Sequence, residues 1–241
     1  MRSLLIVPGD DSGQLATAMA SGADALILDL ADRVAPDRKD HARQLLRDFL
    51  FALRQQSQRP RLFVGINGLD AGLADLDLDA IMPGGPDGIV LPQSRMGADV
   101  QQLGARLAVR EAQNGLPDGA CAILPMVTQT AASLFGLASY AGCSQRLAGL
   151  AWDAEALSVA LGAQTCRLPG GAYSAPAQLA RTLTLVGARA AGVTPIDAAY
   201  AAVEDEAGLR ADCEAARRDG FSGKIAIHPA QVPIIHAVFA V

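Results

Sequence analysis

Long apolar runs are missing from this chain of 241 residues. None approaches the ~20 residues of a membrane-spanning helix, so a membrane role is not expected. The N-terminal run Leu4 to Val7 is stopped by Pro8-Gly9, whereas a signal peptide needs a longer apolar region and a small-residue cleavage site. The expectation is a cytoplasmic protein. An excess of basic residues is missing too: the net charge is −5, which argues against a nucleic-acid partner. Cysteines are few and scattered (Cys121, Cys143, Cys166, Cys213), with no C-x-x-C pair. They read as reduced, packed thiols and not as a disulfide framework or redox motif. The three histidines, His41, His228 and His236, lack the paired spacing of a zinc site. His228, at the end of A-I-H-P, is expected to be a structural hydrogen-bonding residue. No linker or low-complexity tract divides the chain, so residues 1–241 read as one domain.

What is present is core. Half of the residues (51%) are hydrophobic and only 19% are charged, enough apolar surface for a large folded domain. The length suits a single α/β barrel, typically about 250 residues. The organising stretch is Gly22 to Pro36, G-A-D-A-L-I-L-D-L-A-D-R-V-A-P. Ala25 to Leu30 is an apolar run of strand length, as expected for a parallel strand covered on both faces. Asp29 and Asp32 stand at or just past its end, where barrels build their sites. A carboxylate there must be paired, hydrogen-bonded or on a solvated rim.

Strand and helix signals alternate eight times. Strands are predicted at Ser3–Val7, Ala25–Leu30, Leu62–Ile66, Gly88–Leu91, Ala122–Val127, Leu147–Trp152, Pro195–Ala199 and Lys224–Ile227. Helices are predicted at Asp11–Ser21, Arg38–Arg54, Ala98–Gln113, Thr130–Tyr140, Glu155–Leu161, Pro176–Ala191, Glu206–Asp219 and Val232–Phe239. In the second of these, Leu45, Leu46, Phe49, Leu50 and Leu53 form a core-facing stripe. The Asp-rich segment Leu69–Ala80 lacks the Gly and terminal Glu of a calcium loop and reads as a solvated short helix or turn. Arg167–Ala175, with Pro169-Gly170-Gly171, is expected to be a flexible loop over the barrel mouth. The fold class is α/β: a single parallel (β/α)8 TIM barrel with a short C-terminal end.

Several separated blocks carry a resemblance: R-S-L-L-I-V-P-G-D, G-A-D-A-L-I-L-D-L-A-D-R-V-A-P, G-G-P-D-G-I-V-L-P, R-L-A-G-L-A-W-D-A-E-A-L-S-V-A-L-G-A and G-F-S-G-K-I-A-I-H-P-A-Q-V. Together they resemble the citrate lyase β-subunit family, within the HpcH/HpaI aldolases, from Arg2 to Phe239. The resemblance implies Mg²⁺-assisted making or breaking of a carbon–carbon bond in CoA thioesters such as citryl-CoA or malyl-CoA. It also implies a homotrimer or other homo-oligomer. The metal acts there as Lewis acid and template for a 2-oxo acid. Its implied ligands are a Glu at the end of strand five and an Asp just after strand six. An Arg after strand three clamps the substrate carboxylate, and an acidic pair after strand two moves protons.

The chain departs from that pattern at most of those places. Gln129 stands for the strand-five Glu, Ala156 for the Asp, Gly65 for the Arg, Ala31 for one Glu of the acidic pair and Gln93 for a Lys. Arg2, Asp29, Asp32, Asn67, Pro92, Glu155, Asp205 and Ala226–Gln231 match. Arg2, Asp29 and Asp32 are therefore the catalytic candidates, and Gly65, Asn67 and Gln93 the substrate-binding candidates. Gln129 and Ala156 mark the substituted metal positions, and Asp153 and Glu155 the possible replacement ligands. Asp29, Gly65, Gln93, Gln129 and Ala156 are expected to converge at the C-terminal strand ends. The implied metal site falls from two carboxylates to none, and Mg²⁺ is held through carboxylates. Two functions follow. One is a lyase with an altered or relocated metal site. The other is a non-catalytic barrel that binds an acyl-CoA or small organic acid, or partners an active relative.

Overall fold

The computed structural model describes residues 1–240, so Val241 of the expected span lies outside the described residues. Eight parallel strands form the centre: β1 (Ser3–Pro8), β2 (Ala25–Asp29), β3 (Arg61–Gly65), β4 (Gly88–Leu91), β5 (Ala122–Pro125), β6 (Gly149–Ala151), β7 (Thr194–Asp197) and β8 (Gly223–Ala226). Their spatial order, β5-β4-β3-β2-β1-β8-β7-β6, closes the ring between first and last strand through a β1–β8 ladder. Helices α1 (Ser12–Met19), α2 (Lys39–Leu53), α3 (Ala74–Ile81), α4 (Gly97–Gln113), α5 (Ala154–Leu161), α6 (Ala175–Ala190), α7 (Glu206–Asp219) and α8 (Gln231–Phe239) surround it. This is a (β/α)8 barrel. Among the described residues no helix is long and apolar enough to cross a membrane.

The period-two alternation of each strand makes two cores. Inward residues Leu4, Ala25, Ile27, Phe63, Val90, Leu124, Met126, Ala151, Ile196 and Ile225 fill the barrel. Their outward neighbours, such as Leu26, Leu28, Leu62, Val64 and Leu150, pack beneath the helices. The same alternation carries Asp29 and Gly65 inward at the top, side by side in register.

One join is thin. No ladder links β5 to β6; isolated bridges Ile123–Leu147 and Met126–Ala151 connect them. Backbone bonds that cross there include Ile123 N–H to Arg146 O (2.7 Å), Ala148 N–H to Ile123 O (2.9 Å) and Val127 N–H to Ala151 O (2.9 Å). Beneath this seam Arg146 forks onto buried Glu111, with both oxygens at 2.7 Å.

Two expectations are corrected and one element is refined. The predicted helix after β5 is present, wound as a 3-10 helix over Ala132–Tyr140. Ser133 and Ser139 donate to the carbonyls of Thr130 and Gly136, three residues back, which favours the tighter winding. Gly136 allows close approach, because a Cβ there would collide with Arg95 O. The Asp-rich segment contains α3, and it is not wholly solvated: Asp77 is fully buried between Arg43 Nε (2.7 Å) and the N–H groups of Asn67. Residues 167–175 are no free lid. Arg167 lies over the Tyr173 ring at 3.9 Å, donates to its hydroxyl at 2.6 Å and pairs with Asp212 of α7 at 2.9 Å.

Candidate active site

At the C-terminal ends of the strands lies a cavity of about 390 Å³. Inward residues of β2, β4 and β8 floor it, and the loops after β2, β5 and β6 supply its polar rim. It collects Asp29, Asp32, Arg33, Gly65, Gln129, Asp153 and Glu155.

Asp29 ends β2 and is 6% exposed. Oδ1 accepts from Ala31 N–H (3.2 Å) and Oδ2 from Arg33 N–H (2.8 Å), so the side chain ties down the turn that follows. Burial raises the carboxyl above its ordinary value; the two N–H donors oppose this, and neighbouring Asp32 adds to it. A Cβ on Gly65 would lie only 2.7 Å from Asp29 Oδ1. Asp29 thus occupies the space that a side chain at residue 65 would enter.

Gln129 spans three strand ends. Its Oε1 accepts from Gln93 N–H after β4 (2.7 Å), and its Nε2 donates to Asp153 Oδ2 after β6 (3.3 Å). Asp153 is the N-cap of α5, accepting from Ala156 N–H at 3.0 Å, and its own N–H donates to Thr128 Oγ1 at 3.2 Å. These side-chain bonds close the upper end of the β5–β6 seam. Gln93 is left-handed, with φ of 52°, the only such non-glycine among the described residues. Strain of this kind persists where surrounding bonds enforce it, here the bond to Gln129.

Other candidates lie elsewhere. Arg2 is at the N-terminal end of β1, the opposite end of the barrel from Asp29, and grips Asp24 (Nη2 to Oδ1, 2.7 Å). Its expected catalytic place is corrected: it is an ion-pairing residue of the barrel floor. Asn67 is buried, donating to Leu30 O (3.1 Å) and Asp77 Oδ2 (2.7 Å), and does not line the cavity. Gln93 borders an adjacent depression with Leu69, Asp70 and Arg95. Ala156, on the first turn of α5, does not line the cavity either. His228 is exposed, and its Nδ1 accepts from Ala230 N–H (3.2 Å). Sequence reasoning missed Arg33, and only its nearness to Asp32 pointed there.

The donors present do not fit a preformed Mg²⁺ centre. Gln129 Oε1 and both Asp153 oxygens are engaged as above, and Glu155 Oε1 accepts from the Cys166 thiol at 3.0 Å. Among the described residues no three His, Cys, Asp or Glu side chains gather so as to hold an ion. A hard cation needs six oxygens, with carboxylates among them.

A parallel barrel with carboxyl groups and a small cavity at its C-terminal mouth has the architecture of barrel enzymes acting on small molecules. More particularly, the chain belongs to the HpcH/HpaI aldolase/citrate lyase family, whose model matches residues 2–229. It is 36% identical over 241 residues to a (3S)-malyl-CoA thioesterase of Cereibacter sphaeroides, covering 99% of this chain and 77% of that protein. It is 30% identical over 240 residues to the citrate lyase subunit beta of Escherichia coli K12, covering 99% and 76%. Among solved structures it is similar to the Mycobacterium tuberculosis citrate lyase beta subunit complexed with oxaloacetate and magnesium. That match has 29% identity and a TM-score of 0.83, covering 99% of this chain and 96% of that one.

Proposed function

We propose that this chain binds a CoA thioester with the acyl end in the cavity, and does not carry out Mg²⁺-dependent carbon–carbon cleavage at the family's ordinary level. The relatives support the ligand class: one is named for malyl-CoA, and a Mycobacterium tuberculosis structure holds magnesium, acetoacetate and coenzyme A. The observation that carries the loss of metal chemistry is the closed set Gln93–Gln129–Asp153–Ala156, in which hydrogen bonds engage the polar atoms that would otherwise be ligands. Gly65 supplies no clamp, and Asp29 fills its place. Losing one electrostatic stabiliser typically lowers rate about 10²–10³-fold. The expected setting is cytoplasmic, and the expected assembly is a homotrimer or other homo-oligomer, which light scattering on the purified chain measures directly.

A second reading is a relocated metal centre, favoured by one observation: Asp153 and Glu155 border the same cavity as Asp29 and Asp32. Calorimetric titration of Mg²⁺, with and without oxaloacetate, separates the two when combined with a cleavage assay on malyl-CoA and citryl-CoA. The expected result is no saturable Mg²⁺ binding below millimolar concentration and no metal-dependent product. Micromolar Mg²⁺ affinity together with cleavage would establish the relocated lyase.

A further inference from the structure

The lining of the cavity specifies more than its position. The floor is apolar: Ile27, Val90 and Ile225 are inward-facing strand residues, Met126 follows the end of β5, and Ala198 and Ile227 extend the surface they form. The ionisable groups around it are four carboxyl groups, Asp29, Asp32, Asp153 and Glu155, and one guanidinium, Arg33. Arg33 is exposed and also borders an open depression with Asp10, Arg38 and His41, so it stands at the rim and not over the floor. Among the described residues no other Lys, Arg or His lines the cavity.

A free carboxylate on a ligand's acyl group, carried to this floor, would shed its water, meet no cationic donor and face four acids. A buried carboxylate without a partner is costly. Residue 65 is the inward position beside Asp29 where a cation could enter, and the Asp29 carboxyl already fills that space, fixed by two backbone N–H groups. A hydrocarbon chain has the opposite balance, gaining about fourfold in affinity for each methylene taken from water into such a floor. The volume, about 390 Å³, is at the small end for ligand pockets.

We infer that this cavity selects CoA thioesters of short, uncharged acyl chains and discriminates against acyl groups that carry a free carboxylate. This rests on the reading of the chain as a CoA-thioester binder. The specificity determinants are the apolar floor, Gly65 and Asp29.

The test is calorimetric titration of the full chain with free CoA, butyryl-CoA, hexanoyl-CoA and succinyl-CoA. Butyryl and succinyl groups are equal in carbon number, so their comparison isolates the charge. Both uncharged esters are expected to bind more tightly than free CoA, hexanoyl-CoA by about fifteenfold over butyryl-CoA. Succinyl-CoA is expected to bind no better than free CoA. Succinyl-CoA binding as tightly as butyryl-CoA, or hexanoyl-CoA no tighter than butyryl-CoA, would overturn the inference. If neither CoA nor any ester binds, the CoA reading itself fails. The cavity is then judged on butyryl and succinyl thioesters of N-acetylcysteamine, which lack the nucleotide. Preference for butyryl upholds the selectivity, and equal or absent binding rejects it. In Val90→Phe, which crowds the floor, the advantage of hexanoyl-CoA over butyryl-CoA should vanish; an unchanged advantage would place the acyl chain elsewhere and sink the proposal.

Discussion

Two aspartates at opposite ends of β2 respond to pH in opposite senses. Burial pushes Asp24 up, but the Arg2 guanidinium and backbone N–H outweigh it and hold the carboxyl down at about 2, against an ordinary 3.8. A lowered folded-state value means stability present above the ordinary carboxylate range and lost as pH falls towards 2. Asp24→Asn should therefore melt below the wild type at pH 7, and the two curves should converge near pH 2. Circular dichroism melts across that range measure this. Asp29, raised by burial, contributes the other way: its contribution is complete at low pH and declines as pH climbs through its raised value. The end of an apolar run made Asp29 legible in the sequence. Its contact with Gly65 was not, because it depends on the register of two strands. That contact alters what restoring an arginine would do. Gly65→Arg must displace a carboxyl held by two N–H groups, at a cost of about 1–3 kcal/mol for overpacking. In thermal denaturation the single variant should melt several degrees lower, and Gly65→Arg combined with Asp29→Ala should recover most of the loss.

Elements were legible where one pattern decided them. The strands followed from short apolar runs, and α2 from its leucine stripe. Segments governed by distant partners were not. The Pro-Gly-Gly stretch reads as free loop, yet it is pinned because Arg167 finds the Tyr173 ring and Asp212 in α7. The nine residues of Ala132–Tyr140 read as helix and are one; only their tighter winding, set by serine bonds and the close pass of Gly136 by Arg95, was hidden. At the β5–β6 join, Arg146 neutralises Glu111, which is 1% exposed. Arg146→Ala leaves a buried carboxylate uncompensated, so a loss of about 3–5 kcal/mol in chemical denaturation is expected. Above that join, Gln129→Glu would set a carboxylate against Asp153 in place of a donor now at 3.3 Å. With Ala156→Asp added, Asp153 still crowds the same turn. Mg²⁺ affinity should therefore rise further when Asp153→Gly accompanies both changes than with Gln129→Glu and Ala156→Asp alone. Equal titration isotherms for the double and triple variants would contradict this account.

At the scale of the whole molecule, the alternation of strand and helix was enough to read a barrel, because few architectures accept eight parallel strands with intervening helices. The mouth was only half legible. Asp29, Gly65, Gln129 and Asp153 were brought to one place by strand-end position, whereas Arg2, Asn67 and Ala156 serve ion pairing, a buried tie and a helix turn. The uneven pairing around the ring also has an observable result. In native-state hydrogen exchange, the amides of Ile123, Val127 and Ala148 should lose protection before those of β1 and β2, which form a five-pair ladder.

The thin join between β5 and β6 also bears on the order of assembly. These strands are neighbours in sequence, so bringing them together closes a short loop, whereas joining β1 to β8 closes nearly the whole chain. Loop-closure entropy separates the two events by about 2 kcal/mol. The barrel places its bonds accordingly, with a full ladder at the distant closure and a few bridges at the local one. A refolding chain can thus make the weak join early and reversibly, and the ring becomes a ring only when its first and last strands meet.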